Sequence, residues 1–324
     1  MIERSVVVGL VVAAMAAPAG AQSFEAVGTR AAGMGGAFVA VADDASAAYW
    51  NPAGFAAGSY FSLVLDRNSA EVKPPVGPAA NQSGLLIALG MPALGLSYYG
   101  LRSRTVAPAA VTETGNVLLE ADTLVTHHAG VTFIQSVVRG LAVGGTLKLV
   151  RGYASSLLAP ATARDGLLDS GNSGPSRGET HADADLGVMA SVGKLKAGVT
   201  LRNASEPSFD TPDGKPLRLD RQARAGVSFV PVAGWIVAAD SDILEMEGPY
   251  GPSRRLAAGT EGRLHRRATV RGGFSLNTAD GDRARSYSVG GSFAATASVF
   301  FDFQYTGGSD RAPQGWGVAA RFAY

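Results

Sequence analysis

The sequence predicts an all-β fold: a transmembrane antiparallel β-barrel of about fourteen strands, with an N-terminal hatch inside its lumen. Three observations carry this prediction. Apolar residues recur at every second position, the connections between the alternating segments are long and short in turn, and a Gly- and Ala-rich stretch precedes the first segment. The 324 residues are enough for one large closed β-structure.

Residues 1–21 predict a secretory signal peptide. Arg4 supplies the charge, Val6–Ala17 form the apolar core, and Ala19-Gly20-Ala21 is a small-x-small cleavage site before Gln22. An uncleaved anchor is the alternative, but the apolar run is too short for a comfortable helical span. We therefore expect a mature chain in which residues 22–58 form the hatch and residues 59–324 form the barrel.

Fourteen segments of the barrel region alternate apolar and polar residues, which is the period of a β-strand. They are Ser59–Asp66, Ser83–Gly90, Leu94–Arg102, Asp122–Ser136, Gly140–Tyr153, Ala182–Val192, Leu195–Asn203, Gln222–Val230, Gly234–Ile243, Leu256–Leu264, Ala268–Asn277, Tyr287–Ala295, Ser298–Thr306 and Trp316–Tyr324. One face is lipid-like and the other is small, polar or charged, as in outer-membrane barrels. A soluble sandwich with its polar face toward water is the alternative.

The connections favour the membrane barrel. Seven are long: Arg67–Gln82, Ser103–Ala121, Ala154–His181, Ala204–Arg221, Leu244–Arg255, Thr278–Ser286 and Gly307–Gly315. Six are turns of two or three residues, at 91–93, 137–139, 193–194, 231–233, 265–267 and 296–297. With a periplasmic N-terminus and an even strand number, every long loop lies outside the cell and every short turn inside, which is the outer-membrane pattern. The chain also ends on an aromatic residue, Tyr324.

The composition excludes several functions. A net charge of +1 without a basic stripe gives no reason to expect nucleic acid as a partner. Cysteine is absent, and the four histidines (His127, His128, His181, His265) lack metal-ligand spacing. No nucleophile-elbow sequence surrounds a serine. We therefore expect no enzyme activity, no catalytic residue, no metal and no cofactor.

Gly28–Ala57 supplies the candidate site residues. Gly33, Gly35 and Gly36 are predicted to let the backbone pack closely in a crowded lumen, because a nucleotide-binding loop would need a downstream Lys-Ser/Thr that is missing.

Two acids in the same stretch, Asp43 and Asp44, are predicted to anchor the hatch. Their candidate partners in the lumen are Arg271 and Arg321, since a buried charge is costly without a partner. Asn51 and Pro52 have a structural interpretation, in which Pro52 ends one segment and Asn51 starts a turn.

The same stretch resembles a known family. Ala31–Phe38 (AAGMGGAF), Ala42–Ala47 (ADDASA) and Asn51–Gly54 (NPAG) follow one another as in the N-terminal region of the FadL/PorV-like outer-membrane barrels. The resemblance implies a fourteen-stranded barrel whose hatch carries the motif Asn51-Pro52-Ala53, contacts a kink in the wall there and forms part of a gate. The compact external loops and the spelling GMGGAFVAVADDA favour the PorV-like branch.

Two functions follow as expectations. The first is passive uptake of hydrophobic, fatty-acid-like small molecules by a multi-pass protein of the bacterial outer membrane, with membrane lipid and a hydrophobic ligand as partners. The alternative is a non-transporting barrel that scaffolds a secretion or surface-attachment complex through a protein partner. A continuous apolar path inside the barrel favours uptake, and a tightly filled lumen with an apolar patch on the external loops favours the scaffold.

Overall fold

A closed barrel of fourteen antiparallel strands dominates the computed structural model. The structure describes residues 27–75, 77–112, 116–169, 176–248, 250–279 and 283–324. The predicted signal peptide, residues 1–21, lies outside these ranges. The barrel closes where the first strand pairs with the last, from Ser62 opposite Ala323 to Glu71 opposite Gln314. The predicted all-β barrel and its strand number are confirmed.

The strands follow the chain around the barrel, each beside the next. The barrel strands are β1 (Ser62–Val72), β2 (Ala79–Met91), β3 (Leu94–Val111), β4 (Val117–Val138), β5 (Leu141–Pro160), β6 (Arg177–Val192), β7 (Leu195–Arg202), β10 (Gln222–Phe229), β11 (Trp235–Asp242), β14 (Arg255–His265), β15 (Ala268–Asn277), β16 (Arg285–Ala294), β17 (Val299–Gly308) and β18 (Gln314–Ala323). Two hairpins lie in long connections: β8 (Ser208–Asp210) with β9 (Pro216–Arg218), and β12 (Met246–Gly248) with β13 (Gly251–Ser253).

Each predicted segment overlaps one barrel strand, but the strands extend into the predicted long connections, and two of these show it clearly. Within Ser103–Ala121, β3 and β4 continue to pair, for example Thr105 with Asp122 and Ala107 with Glu120. Within Ala154–His181, β5 continues to Pro160 and α3 (Arg164–Asp169) follows a 3₁₀ turn (Ala161–Ala163). Backbone pairing continues in these strand ends, although the sequence there does not alternate regularly between apolar and polar residues. The hairpins were not predicted because three-residue strands are too short to show a period.

The apolar face of the barrel points outward. In β5, Leu147 and Leu149 are 65% and 59% exposed, whereas Lys148 between them is 3% exposed. A soluble sandwich would bury the leucines and expose the lysine, so this alternation excludes it and identifies a lipid-facing exterior around a polar interior. In the described residues, the helices are too short or too polar for any of them to cross a membrane.

An N-terminal segment, defined here as residues 27–58, is buried inside the barrel. It contains α1 (Thr29–Gly33), α2 (Ala47–Trp50) and a 3₁₀ helix (Pro52–Ala57) joined by tight turns. Its apolar side chains, among them Met34, Phe38 and Trp50, form the main apolar core together with wall residues such as Leu86 and Tyr99. The lumen is therefore filled by this segment and not by side chains of the wall alone.

Candidate functional site

The N-terminal segment follows the inner wall and contacts the strands in reverse order around the barrel. At six of these contacts the wall residue is a glycine, on which an added Cβ would lie 2.1–3.3 Å from the segment. The pairs, from β18 to β2, are Thr29 with Gly317, Gly33 with Gly290, Met34 with Gly259, Val39 with Gly226, Asn51 with Gly187 and Phe55 with Gly90. Because glycine has no side chain, the segment can lie directly on the backbone of the wall at these positions.

Asn51 joins the segment to itself and to the wall. The side chain is fully buried, and its Nδ2 donates to the carbonyl oxygens of Val39 (3.0 Å) and of Val188 on β6 (3.2 Å). Its Oδ1 accepts a hydrogen bond from the Ala53 backbone nitrogen at 3.1 Å. Pro52 occupies the first turn of the 3₁₀ helix, where its missing N–H costs nothing.

The wall strands beside Asn51, Pro52 and Ala53 contact this motif closely and keep their regular pairing. An added Cβ on Gly144 of β5 would lie 2.4 Å from the Pro52 carbonyl carbon and 2.5 Å from the Ala53 nitrogen. β6 and β7 pair in unbroken register past the contact, from Leu186 opposite Leu201 to Val192 opposite Leu195. Asn51, Pro52 and Ala53 therefore meet the wall through glycine backbone.

The glycines after α1 form a tight turn against β15. Gly35 and Gly36 have φ of 68° and 85°, a left-handed conformation that suits glycine. A Cβ on Gly35 would lie 2.8 Å from the Phe274 nitrogen, and a Cβ on Gly33 would lie 3.4 Å from Cδ of Arg271. Gly35 therefore packs directly on the backbone of β15, whereas Gly33 and Gly36 face the side chains of Arg271 and Arg255.

Six charged side chains form a closed ring between the segment and four strands, called the charge ring below. Its links are Arg30 Nη1 to Asp44 Oδ2 (3.1 Å), Arg30 Nη2 to Glu261 Oε1 (2.8 Å), Arg271 Nε to Glu261 Oε2 (2.6 Å), Arg271 Nη1 to Asp302 Oδ1 (3.1 Å), Arg321 Nε to Asp302 Oδ2 (2.7 Å) and Arg321 Nη1 to Asp44 Oδ2 (3.6 Å). Charges of opposite sign alternate around it, so every buried charge has two partners.

The ring shows where the predicted anchoring residues lie. Arg321 contacts Asp44, whereas Arg271 binds Glu261 and Asp302 instead of the two aspartates of the segment. Arg30, which lies in the segment itself, forms ion pairs with both Asp43 and Asp44. The pairing of Arg271 with Asp43 or Asp44 is therefore wrong, because a nearer acid on its own neighbour strand β14 takes its place. Glu261 and Arg30 were missed, and no local pattern distinguishes them.

The charges of the ring act on the acid of the segment. Burial raises the pKa of Asp44, but the charges of Arg30 and Arg321 and the hydrogen bond from Ser46 outweigh it and hold the pKa below its usual value. For Arg30, burial lowers the pKa, and the neighbouring charges of Asp43, Glu261 and Asp44 raise it well above the usual value. Both side chains stay charged at neutral pH, as an anchor requires.

Two further wall acids hold backbone N–H groups of the segment. Asp240 of β11 accepts hydrogen bonds from Phe38 N (2.7 Å) and Val39 N (2.8 Å). Asp66 of β1 accepts one from Thr29 N (2.6 Å) at the start of α1. Sequence reasoning missed both acids. Their inward position in alternating strands was the available signal.

A second charged cluster fills the lumen beside β3–β7. Lys148 Nζ lies 2.6 Å from Asp185 Oδ1, 3.1 Å from Asp183 Oδ2 and 3.0 Å from Asn203 Oδ1. Tyr99 also accepts from it, at 3.3 Å. This half of the lumen is thus closed by paired charges.

Two neighbouring cavities, which share Arg255, Ser275 and Pro313 in their lining, lie between the long loops and the segment. The mouth cavity, about 80 Å³, is enclosed by the β12–β13 hairpin and the loop ends of β10, β14 and β15. The deep cavity, about 50 Å³, ends on Gly35, Gly36 and Trp50 of the segment. Arg255 lines both. The two cavities together extend from the loop end of the barrel to the segment.

A third cavity is an apolar groove of about 470 Å³ on the outer surface across β6, β7, β10, β11 and β14. Val199 and Val227 border it and are 46% and 50% exposed. Gly198 and Gly226, which pair with each other, form part of its lining. Because these glycines have no side chain, one layer of backbone separates the groove from Val39 and Asn51.

Among the described ranges, no three His, Asp or Glu side chains stand close enough to hold a metal ion. The charged residues of the lumen are instead bound to one another and to the backbone of the segment. These contacts hold the N-terminal segment in place inside the barrel.

Fold and site together define a barrel of the outer-membrane type whose lumen is occupied by its own N-terminal segment. The chain belongs to the family described as "F plasmid transfer operon, TraF, protein", whose model matches residues 26–242. A search of the curated proteins finds no match.

The barrel is similar in structure to FadL-type channels. CymD, a monoaromatic hydrocarbon channel, is 15% identical with a TM-score of 0.62, over 92% of this chain and 98% of that one. The toluene transporter TodX of Pseudomonas putida is 13% identical with a TM-score of 0.62, over 94% and 99%. A FadL homologue of Pseudomonas aeruginosa is 12% identical with a TM-score of 0.62, over 94% and 100%. At these identities the likeness establishes the shared fold.

Proposed function

We propose that the protein mediates passive uptake of hydrophobic, fatty-acid-like small molecules across the bacterial outer membrane. In this proposal residues 22–58 are the hatch, residues 59–324 are the channel, and Asn51, Pro52 and Ala53 are part of the gate. The apolar exterior supports the location in the outer membrane, with lipid as the partner of that surface. The paired charges of the lumen support a non-enzymatic role.

The observation that carries the proposal is the path of two cavities that stops at the segment. The mouth cavity lies on the loop side, and the deep cavity, which shares Arg255, Ser275 and Pro313 with it, ends on Gly35 and Gly36 of the segment. A route that ends on a separate, plugging segment needs that segment to move. Similarity to a toluene transporter and a monoaromatic hydrocarbon channel supports a hydrophobic ligand.

The exit is sideways into the membrane or down into the periplasm. The apolar groove favours the sideways route, because only the backbone of Gly198 and Gly226 separates it from the segment. β7 and β10 pair without interruption there, from Arg202 opposite Gln222 to Leu195 opposite Phe229. A sideways exit at this point would therefore require the pairing of β7 and β10 to open.

A reversible disulfide tests whether the segment must move. An ideal Cβ on Gly33 lies 3.6 Å from Cβ of Gln304 on β17, within the range for a disulfide, and the chain has no native cysteine. Uptake of radiolabelled oleate and toluene is measured in cells without their own FadL-type channels. We expect the variant Gly33→Cys/Gln304→Cys to take up the label when reduced and to lose uptake when oxidised.

The single variants Gly33→Cys and Gln304→Cys are the matched controls, because they introduce the same side chains without the cross-link. They should be insensitive to oxidant. Equal uptake by the oxidised and reduced double variant would refute a moving hatch. Absence of uptake by the wild-type protein would refute the transport function itself.

The alternative is the non-transporting, PorV-like barrel with a secretion or surface protein as partner. It is supported by the family description, which names a plasmid transfer operon, and by the two charged clusters that fill the lumen. Native mass spectrometry of the protein extracted from its own membrane separates the two proposals. A retained hydrocarbon or fatty acid supports uptake, and a stoichiometric protein partner with an empty lumen supports the scaffold.

A further inference from the structure

We infer that the outer surface around β7 and β10 binds one anionic phospholipid of the periplasmic leaflet. Its phosphate lies on the short turns, and one acyl chain lies in the apolar groove. The inference rests on the outer-membrane location, with the short turns in the periplasm, and does not rest on uptake. Two independent features of the structure carry it: a cluster of basic side chains on the turns, and the groove that begins beside them.

Four neighbouring turns at the short-turn end form one connected strip. They are 139–140, 193–194, 230–234 and 266–267. A backbone hydrogen bond joins each to the turn or strand end beside it: Ser191 N to Gly140 O (2.6 Å), Val230 N to Lys194 O (3.0 Å) and Arg263 N to Gly234 O (2.9 Å). The side chain of Lys194 also reaches the next turn, where Nζ donates to the Pro231 carbonyl oxygen at 3.0 Å. The four turns therefore present one continuous surface.

This strip is basic and has no acidic side chain. Five exposed residues in or next to the turns are called the basic rim: Arg139, Lys194, Arg263, Arg266 and Arg267. The four turns lie within the described ranges and contain no Asp or Glu. The terminal carboxylate of Tyr324, which follows β18, is seven strands away from β7 around the barrel. Such a surface attracts the phosphate groups of anionic lipids.

The basic rim lies at the edge of the lipid-facing surface. Val192, Leu195 and Phe229 are exposed apolar residues at the turn ends of β6, β7 and β10. Exposed apolar and exposed basic residues are direct neighbours here, as at Leu195 and Lys194. Phospholipid headgroups lie at the boundary between hydrocarbon and water, so a headgroup meets these basic residues without leaving the membrane. This position favours a lipid over a soluble acidic protein.

The apolar groove begins three residues from Lys194, at Ala197, and continues along β7 and β10. Small outward-facing residues form its floor and larger ones its borders. The floor contains Ala190, Ala197, Ala225 and Ala239, and the borders contain Val188, Val199, Val227 and Leu256. Val199 lies five residues from Lys194, a rise of about 17 Å along the strand, and one leaflet contains roughly 15 Å of hydrocarbon. The groove therefore suits one acyl chain whose headgroup is held at the basic rim.

Titration of two phospholipids with the same oleoyl chains tests the headgroup. Anionic phosphatidylglycerol and zwitterionic phosphatidylethanolamine are each added to the purified full-length barrel in detergent, and bound lipid is counted by native mass spectrometry. We expect phosphatidylglycerol to bind at least about fivefold more tightly, which is the effect of one basic residue near an anionic headgroup. Lys194→Gln/Arg266→Gln should remove most of this preference. Arg177→Gln, the same change at the exposed loop end of β6, should keep it.

A second variant tests the groove separately from the headgroup. Ala197→Leu places a larger side chain on the floor of the groove, so we expect weaker binding of both lipids with the preference for phosphatidylglycerol unchanged. Ala129→Leu makes the same change at an exposed alanine of β4 outside the groove and should bind both lipids as wild type does.

Three results would overturn the inference. Equal affinity of the wild type for the two lipids, or an unchanged preference in the double variant, would refute the headgroup site. Wild-type affinity in Ala197→Leu would refute the chain in the groove. An acidic periplasmic protein that binds the wild type but not the double variant, without any lipid preference, would assign the basic rim to that protein. Since no reading depends on transport, absence of uptake would refute the proposed function and leave the lipid site standing.

Discussion

At the residue scale, the wall positions that matter most are those without a side chain. Four pairs of glycines face each other across neighbouring strands: Gly90 with Gly95, Gly144 with Gly187, Gly198 with Gly226, and Gly259 with Gly273. Directly opposed residues lie on the same face of a sheet, so each pair leaves one hollow in the inner wall. Phe55, Pro52 with Asn51, Val39, and Met34 with Gly35 occupy these hollows.

A methyl group in such a hollow should loosen the segment. In Gly187→Ala the new Cβ would lie 2.2 Å from Asn51 Oδ1, so either the amide or β6 must shift. Overpacking of this kind costs about 1–3 kcal/mol. Gly272→Ala is the matched control on β15, because a Cβ there meets nothing within 4 Å. Unfolding by denaturant in lipid vesicles should show the loss for the first variant alone, and equal stabilities would contradict the fit described for Asn51.

We expect the Asn51 side chain to stabilise the fold through the two hydrogen bonds that its Nδ2 donates. Asn51→Asp keeps the size and the acceptor toward Ala53 but places a carboxylate oxygen against the carbonyls of Val39 and Val188. We expect a loss of at least about 1–3 kcal/mol in the free energy of unfolding at neutral pH. The deficit should narrow in acid, since a protonated carboxyl can donate one bond again. Asn116→Asp, in an exposed loop, is the control. A loss of unfolding free energy that does not change with pH would show that the hydrogen bonds donated by Asn51 do not stabilise the fold.

At the element scale, the charge ring fixes α1 and the Asp44 turn to β14, β15, β17 and β18. It should make the anchoring of the segment sensitive to acid. The folded-state pKa of Asp44 lies below its usual value, so the group stabilises the fold above the unfolded pKa of about 3.9 and loses this effect as the pH falls through the folded value.

The measurement is the free energy of unfolding of wild type and of Asp44→Asn between pH 7 and pH 2. The difference between the two should be largest above about pH 4, because the aspartate is then charged in both states. It should shrink toward lower pH. A difference that stays constant over this interval would show that the charge of Asp44 does not anchor the segment.

The sequence predicts features that depend on neighbouring residues in one strand better than features that depend on how two strands pair. Apolar and polar residues alternate along each barrel strand, as at Leu147, Lys148 and Leu149. This pattern lies within a single strand, and it was therefore enough to identify all of the barrel strands. The partner of a buried charge is set by register between strands. Arg271 therefore could not be matched to Glu261 from the sequence, since the pair depends on β14 facing β15 at this position. Arg224 and Arg255, which line the mouth cavity, were missed for the same reason, because they lie on strands on either side of β11 and both bind its Asp242.

At the scale of the whole molecule, the orientation in the membrane follows from the unequal ends of the barrel. The short turns, such as the one at Ala295–Ser298, lie at one end, and the longer connections with the β8–β9 and β12–β13 hairpins lie at the other. Outer-membrane barrels place short turns in the periplasm and long loops outside. The mouth cavity then faces the exterior, where an incoming molecule first meets the protein.

Single-cysteine labelling tests this orientation on a background that has no native cysteine. Asp310→Cys and Ala297→Cys place exposed thiols beyond opposite ends of β17. We expect a membrane-impermeant maleimide to label Asp310→Cys in intact cells, and to label Ala297→Cys only after the outer membrane is permeabilised. Both variants should be labelled equally after solubilisation, which controls for thiol reactivity. The reverse pattern would place the mouth cavity in the periplasm, and the direction of the proposed uptake would then have to be reversed with it.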